Sequence, residues 1–118
     1  MCTNYMLTIN PEGETMSFSV LGTGMYVPEK IVTNDDLSTF LDTNDEWITQ
    51  RVGIKQRYVC THETAADLAI QAAKNALENS GVTADELDLI IGATVSGETI
   101  CPSIACYVQA GIGAKCPA

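Results

Sequence analysis

A chain of 118 residues has the size of one ordinary domain and too little length for two; at that size roughly 65% of the unfolded surface can be buried in a core. Hydrophobic residues at 46% and charged ones at 18% exclude a wholly disordered polypeptide. Six Lys and Arg against fifteen Asp and Glu, a formal charge of -9, exclude a surface built to wrap nucleic acid or an anionic membrane, both of which need clustered cations.

In chain order, residues 1–16 read as an irregular leader with some strand character over 5–9. Its first ten residues hold no Lys or Arg and no apolar run long enough for a signal peptide. From Ser17 the pattern sharpens. Phe18 and Val20 alternate with small or polar residues, so residues 17–28 read as a strand that meets Gly22-Thr23-Gly24 and leaves through Pro28. A short helix follows, capped by Thr33 or Asn34, with Asp35 and Asp36 on its positive end. A second one is expected over 43–53, with Thr43 and Glu46 in capping-box spacing and Gly53 as the stop. Residues 54–60 form a candidate strand.

The strongest helical signal runs over 64–80. Thr64 and Asp67 can form a capping box, Ala65, Leu68, Ala69, Ala72 and Ala76 mark an apolar stripe, and Gly81 ends it. An alanine stripe predicts close approach to a neighbour. A short turn at 83–86 leads into residues 87–97, where Leu89, Ile90 and Ile91 run together as in a strand covered on both faces. Pro102 then opens a last helix that ends near Gly111 and Gly113. Strands and helices alternate without an internal repeat, which predicts an α/β fold. Residues 17–118 make the domain.

Five cysteines at 2, 60, 101, 106 and 116 are odd in number and irregular in spacing, so free thiols in the cytoplasm are expected rather than a disulfide framework. His62 is the only histidine and there is no CxxC, so no metal site is expected. No stretch reaches the roughly 20 apolar residues of a membrane span. The Gly22-x-Gly24 pair begins like a dinucleotide fingerprint, but Val27 stands at the third glycine position and Pro28 follows; a tight turn is the better reading. His62, in a polar loop with no partner in view, reads as a solvated side chain.

Trp47 and Arg51 stand four apart on an expected helix and so share a face. An indole offers a plane for a purine, and a guanidinium one turn away can grip a phosphate in fork geometry. The same spacing also fits a core tryptophan covered by its arginine through a cation–π contact, and spacing alone favours that second reading.

The segments VLGTGMYVPEKIVTNDDL (20–37), DTNDEWITQRVGIKQRYV (42–59), ETAADLAIQAAKNAL (63–77) and LDLIIGATVSGETICPSIACYVQAGIGAKCPA (87–118) together resemble the N-terminal part of β-ketoacyl-acyl-carrier-protein synthase III, the initiating condensing enzyme of bacterial fatty-acid synthesis. The resemblance runs in one register from about Ser17 and leaves out the leader. It implies a thiolase-like layered α/β fold with a mixed central sheet and helices on both faces, and a homodimer in the cytoplasm. It also implies an acyltransferase that condenses an acyl-CoA primer with malonyl-acyl-carrier protein, with a CoA thioester as substrate and no permanently bound cofactor.

Carried over residue by residue, Trp47 matches the tryptophan that stacks on the CoA adenine, Arg51 the arginine near the CoA phosphates, and Thr43 a threonine beside the adenine. Cys101 matches a position that reaches across the dimer interface to close the partner's acyl pocket. A small cysteine there hints at room for a primer longer or more branched than acetyl; a plain interface filler is the alternative. The family's nucleophilic cysteine, its histidine and its asparagine have no counterpart here, so no catalytic residue is carried over. The chain is expected to stop short of the nucleophile segment, to be inactive in condensation, and to hold a half-site with weak or no CoA binding. Two other readings remain: a non-catalytic CoA- or acyl-recognition module, and a structural fragment that pairs its open strands with another chain.

Overall fold

The computed structural model describes residues 4–5 and 19–118; the rest of the expected leader, Cys2 and the start of the expected 17–28 strand lie outside them. The elements in order are β1 (Asn4–Tyr5), β2 (Thr23–Gly24), β3 (Ile31–Thr33), α1 (Asn34–Ser38), α2 (Asp45–Val52), β4 (Gln56–Tyr58), α3 (Ala65–Ser80), a single 3-10 turn (Ala84–Glu86) and α4 (Ile104–Ile112). They fall into two compact units, Val27–Glu63 and Thr64–Ala118 with the chain up to Tyr26.

In the first unit β3 and β4 pair antiparallel, Ile31 opposite Tyr58 and Thr33 opposite Gln56. The ladder runs straight into α1, whose N-cap is Thr33: its hydroxyl accepts from Asp36 N–H at 3.1 Å while the Asp36 carboxylate accepts from Thr33 N–H at 2.8 Å. In α2 the cap lies one residue later than the spacing predicted. Asn44 Oδ1 accepts from Trp47 N–H at 2.8 Å, which leaves Thr43 outside the helix and the Thr43–Glu46 box unformed. Asn44, extended at φ -152, places its amide oxygen on the open N–H directly. Gly53 closes the helix at φ +69, as expected of a left-handed cap.

The second unit is organised around α3. Thr64 and Asp67 form the predicted capping box, and Gly81 caps the C-terminus at φ +71. The buried face is Ala66, Ala69, Ala72 and Ala73: Ala69 and Ala72 belong to the stripe read from the sequence, while Ala65, Leu68 and Ala76 are only half-buried. These alanines allow two close contacts. On one side β2 lies on the helix: a Cβ added at Gly24 would come 2.3 Å from Ala72 O and from Ala76 N, and one at Gly22 would come 2.7 Å from Ser80. Neither glycine has a positive φ. The Gly-x-Gly pair therefore serves backbone approach rather than the tight turn expected of it. On the other side α4 packs through Val108 against Ala69 and Ala73, with Ile70, Ile90, Ile104 and Ile112 around them.

The two long strands expected over 17–28 and 87–97 are corrected. Among the described residues only Thr23–Gly24 is paired in the first, against Asn4–Tyr5. Residues 87–97 run without a ladder: Ile90 N–H donates to Pro117 O at 3.1 Å and its side chain joins the core, while Leu89 and Ile91 on either side are exposed. One face of the segment is covered and the other is open, because a ladder needs a partner strand and none lies beside it among the described residues. No helix there is long and apolar enough to cross a membrane.

Candidate functional site

The side chains singled out by sequence lie in two places. Trp47 and Arg51 are on α2 and do share a face: Arg51 Cζ sits 4.7 Å from the centroid of the indole. Trp47 is 54% exposed, so it is no core anchor. The buried residue of this helix is Ile48, while its neighbour Trp47 is exposed. A large aromatic face displayed beside a guanidinium is suited to a flat, anionic ligand.

Thr43 precedes the cap of the same helix. Its N–H donates to Leu41 O at 2.9 Å, and its Oγ1 is buried without a hydrogen-bond partner, the single such side-chain atom among the described residues. Such an atom ordinarily costs stability.

Cys101 is in the other unit, exposed, at a cis peptide bond to Pro102. The segment before it is anchored by Glu98, whose carboxylate accepts from the N–H groups of Ala65 and Ala66 at the N-terminus of α3. Thr99 Oγ1 donates to Pro102 O at 3.0 Å and lies 3.4 Å from the Tyr107 hydroxyl. A shallow groove beside it is lined by Gly92, Thr94, Val95, Ile100 and Ser103.

His62 stands exposed in the loop 61–63. There the Glu63 carboxylate accepts from Thr61 N–H at 3.0 Å and His62 N–H at 3.2 Å, which, with its own N–H, holds that carboxyl below the usual range. Cys60 is exposed, Cys106 half-buried with Sγ 3.4 Å from Ser103 Oγ, and Cys116 buried; these and Cys101 are free thiols. Among the described residues no group of three or more His, Cys, Asp and Glu could hold a metal ion.

Two features escaped the sequence reading. One is the Glu98 tie to α3, 32 residues away. The other is Asn34, buried to 1% and bonded to three separate segments.

Capped helices alternating with strands and extended segments, one helix alanine-rich, define a part of a thiolase-like α/β fold, and comparison with solved structures bears out that class. The 3-oxoacyl-[acyl-carrier-protein] synthase III of Aquifex aeolicus superposes at a TM-score of 0.78 with 46% identity, over 83% of this chain and 33% of that one. A priming β-ketosynthase of the R1128 polyketide pathway does so at 0.78 with 31% identity, over 83% of this chain and 30% of that one. More particularly, the chain is homologous to β-ketoacyl-[acyl-carrier-protein] synthase III, as the resemblance implied. It is 52% identical over 99 residues to the enzyme so named from Clostridium acetobutylicum, 84% of this chain and 30% of that one. The Xanthomonas campestris enzyme of that name is 50% identical over 95 residues, 80% of this chain and 29% of that one. The chain thus spans about 30% of the length of the curated relatives it matches. No protein-family model matches it.

Proposed function

We propose that these residues form the adenine-side part of a β-ketoacyl-acyl-carrier-protein synthase III. In the whole protein an acyl group would pass from an acyl-CoA to an active-site cysteine thiolate, releasing the CoA thiol. Malonyl-acyl-carrier protein would then lose CO2, and the resulting carbanion would attack the acyl thioester, giving β-ketoacyl-carrier protein and freeing the thiolate again. Decarboxylation supplies the carbon nucleophile without a strong base. With this goes a division into residues 1–16 as a leader and 17–118 as a partial thiolase-like domain.

The observation that carries the reading is Trp47, 54% exposed with a guanidinium at 4.7 Å on the same face. Trp47 stacks on the adenine, Arg51 meets the phosphates, and Thr43 offers its unpartnered hydroxyl beside the base. Cys101 lines the acyl pocket of a second copy. No residue of this chain takes the place of the nucleophile, so the 118-residue polypeptide condenses nothing; as a half-site for the adenine, it binds CoA weakly. A cytoplasmic homodimer is proposed with it: the apolar side chains of Leu89, Ile91, Val95 and Ile100 stand exposed along one extended stretch, a surface that association would bury.

Because Trp47 is the sole tryptophan, titration with free coenzyme A can be followed by its fluorescence. A quench with its midpoint at about millimolar ligand is expected, corresponding to roughly 4 kcal/mol of binding free energy, and Arg51→Ala should move that midpoint about tenfold or more higher. An unchanged emission up to tenfold that concentration would overturn the nucleotide reading. Turnover of acetyl-CoA and malonyl-acyl-carrier protein by the 118-residue chain would overturn its inactivity.

A further inference from the structure

Helix α2 has little apolar packing to hold it. Ile48 is its one buried residue, so the direction in which Trp47 and Arg51 point has to be set by other contacts. The Lys55–Asp45 ion pair at 3.0 Å is exposed on both sides and contributes little to that. The remaining tie is Asn34, the first residue of α1, fixed there by the Thr33–Asp36 capping box.

Both N–H groups of the Asn34 amide are used. One donates to Asp45 Oδ1 at 2.8 Å and one to Ile54 O at 2.8 Å. Asp45 is the first residue of α2, and Ile54 lies immediately past its Gly53 cap. The amide oxygen accepts from Arg57 Nη2 at 2.7 Å, and Arg57 Nη1 also reaches Val32 O at 3.4 Å. The partners fix the orientation of the amide, since a carboxylate and a carbonyl can only accept and a guanidinium can only donate. We propose that Asn34 is a positioning residue for the Trp47–Arg51 face: one buried amide clamps the start of α2 to the chain just after its end, and locks both to the β3–β4 ladder through Arg57. As a role in ligand binding, this rests on the nucleotide reading above.

A buried network of this kind is sensitive to donor and acceptor identity at constant shape. Asn34→Asp keeps the acceptor for Arg57 but replaces both donors with lone pairs, facing Asp45 and Ile54 O with a second carboxylate. Combining it with Asp45→Asn restores a donor–acceptor pair between the two positions. The full 118-residue chain is read in two ways: acrylamide quenching of Trp47, and the Kd for free coenzyme A. Asn34→Asp should change the quenching constant by about twofold and weaken coenzyme A by about 2–10-fold, the worth of one such hydrogen bond or more, and the double variant, which restores the pair with position 45 but not the donor to Ile54 O, should recover about half of both.

A lower melting temperature with both readouts unchanged in the folded state would reduce Asn34 to a structural residue and overturn the proposal. If Asn34→Asp does not fold, Asp45→Ala removes the α2 arm of the clamp at a partly exposed side chain. The same two quantities then decide: a shift supports the clamp, and no shift overturns it. If the parent chain gives no response to coenzyme A, the nucleotide reading fails on its own, while the Trp47 quenching still tells whether Asn34 sets the face.

Discussion

Arg51 lies over Trp47, its guanidinium carbon 4.7 Å from the ring centroid, and the pair stands in solvent rather than in the core. At an exposed site such a contact is worth about 0.5–1 kcal/mol, so the guanidinium can leave the ring for a phosphate at small cost. Arg51→Ala should uncover the indole and raise its acrylamide quenching. It should also weaken coenzyme A by about tenfold or more, because hydrogen bonds to a charged group are worth about 1.5–3 kcal/mol. Arg51→Lys keeps the charge but loses the planar fork, and should fall between the two. Calorimetric titration of the three proteins checks the order. Equal affinity in all of them would remove Arg51 from the site.

Gly24 and Gly111 are both pressed against neighbours, but by different atoms. At Gly24 the obstacle is the α3 backbone, Ala72 O and Ala76 N at 2.3 Å; at Gly111 it is the Ile70 side chain, with Cδ1 and Cγ1 at 2.6 Å. Backbone cannot step aside, whereas an isoleucine can change rotamer. Gly24→Ala should therefore cost about 3 kcal/mol or more, the upper end of overpacking. Gly111→Ala should cost clearly less, since about 0.5–1 kcal/mol of helix propensity offsets the crowding. Urea unfolding midpoints measure both, and a reversed order would contradict the placement of β2 on α3.

Among the described residues four carboxylates sit below their ordinary range for named reasons. Asp36 is held down by the Thr33 hydroxyl and N–H, Glu86 by the Thr83 N–H and hydroxyl, Glu63 by the Thr61 N–H, and Asp45 by the Asn34 amide and then Lys55. A carboxylate whose pKa is lower in the folded state contributes stability above its unfolded pKa and loses it as pH falls through the folded one. Stability should thus be level from neutrality to about pH 5 and decline below that. Asp36→Asn removes one of these groups and should flatten the decline. Melting temperatures from pH 7 to pH 3 that fall in parallel for parent and variant would dismiss the capping carboxylates as its source.

How much of this could be read from the chain follows from distance along it. The Thr64–Asp67 box, Gly53 and Gly81 are local: cap and partner lie within four residues, and the chemistry of each type announces itself. The same locality misplaced the cap of α2 by one residue, since Thr43 and Asn44 are both good caps and geometry chose the second. What depends on remote partners was not legible. Gly22 and Gly24 look like a turn until α3 is seen against them, more than forty residues on. Asn34 looks like a helix start until Asp45, Ile54 and Arg57, 11, 20 and 23 residues away, close around it. The Trp47–Arg51 pair lies between these cases: its shared face was visible in the spacing, but whether that face turned inward or outward was not.

Glu98 shows a second long-range tie, and it bears on Cys101. Its carboxylate accepts from two open N–H groups at the N-terminus of the 16-residue helix α3, where a negative charge also meets the positive end of the helix dipole. The stretch around it is exposed from residue 91 to 102, so little else fixes the approach to Cys101. Thr99, bonded to Pro102 O and near Tyr107, continues the anchor on the far side of Ile100. Glu98→Ala should release the segment: amides 94–101 should exchange with deuterium about tenfold faster, while the C-terminal turns of α3 keep their protection. Glu98→Gln keeps an acceptor oxygen without the full charge and should lie between the two proteins. The thiols give an independent reading, since alkylation of Cys101 should change in Glu98→Ala while that of Cys60, also exposed, should not. Unaltered exchange over 94–101 would mean that the segment is held by Thr99 and Pro102 alone, and that the carboxylate serves only as a cap for α3.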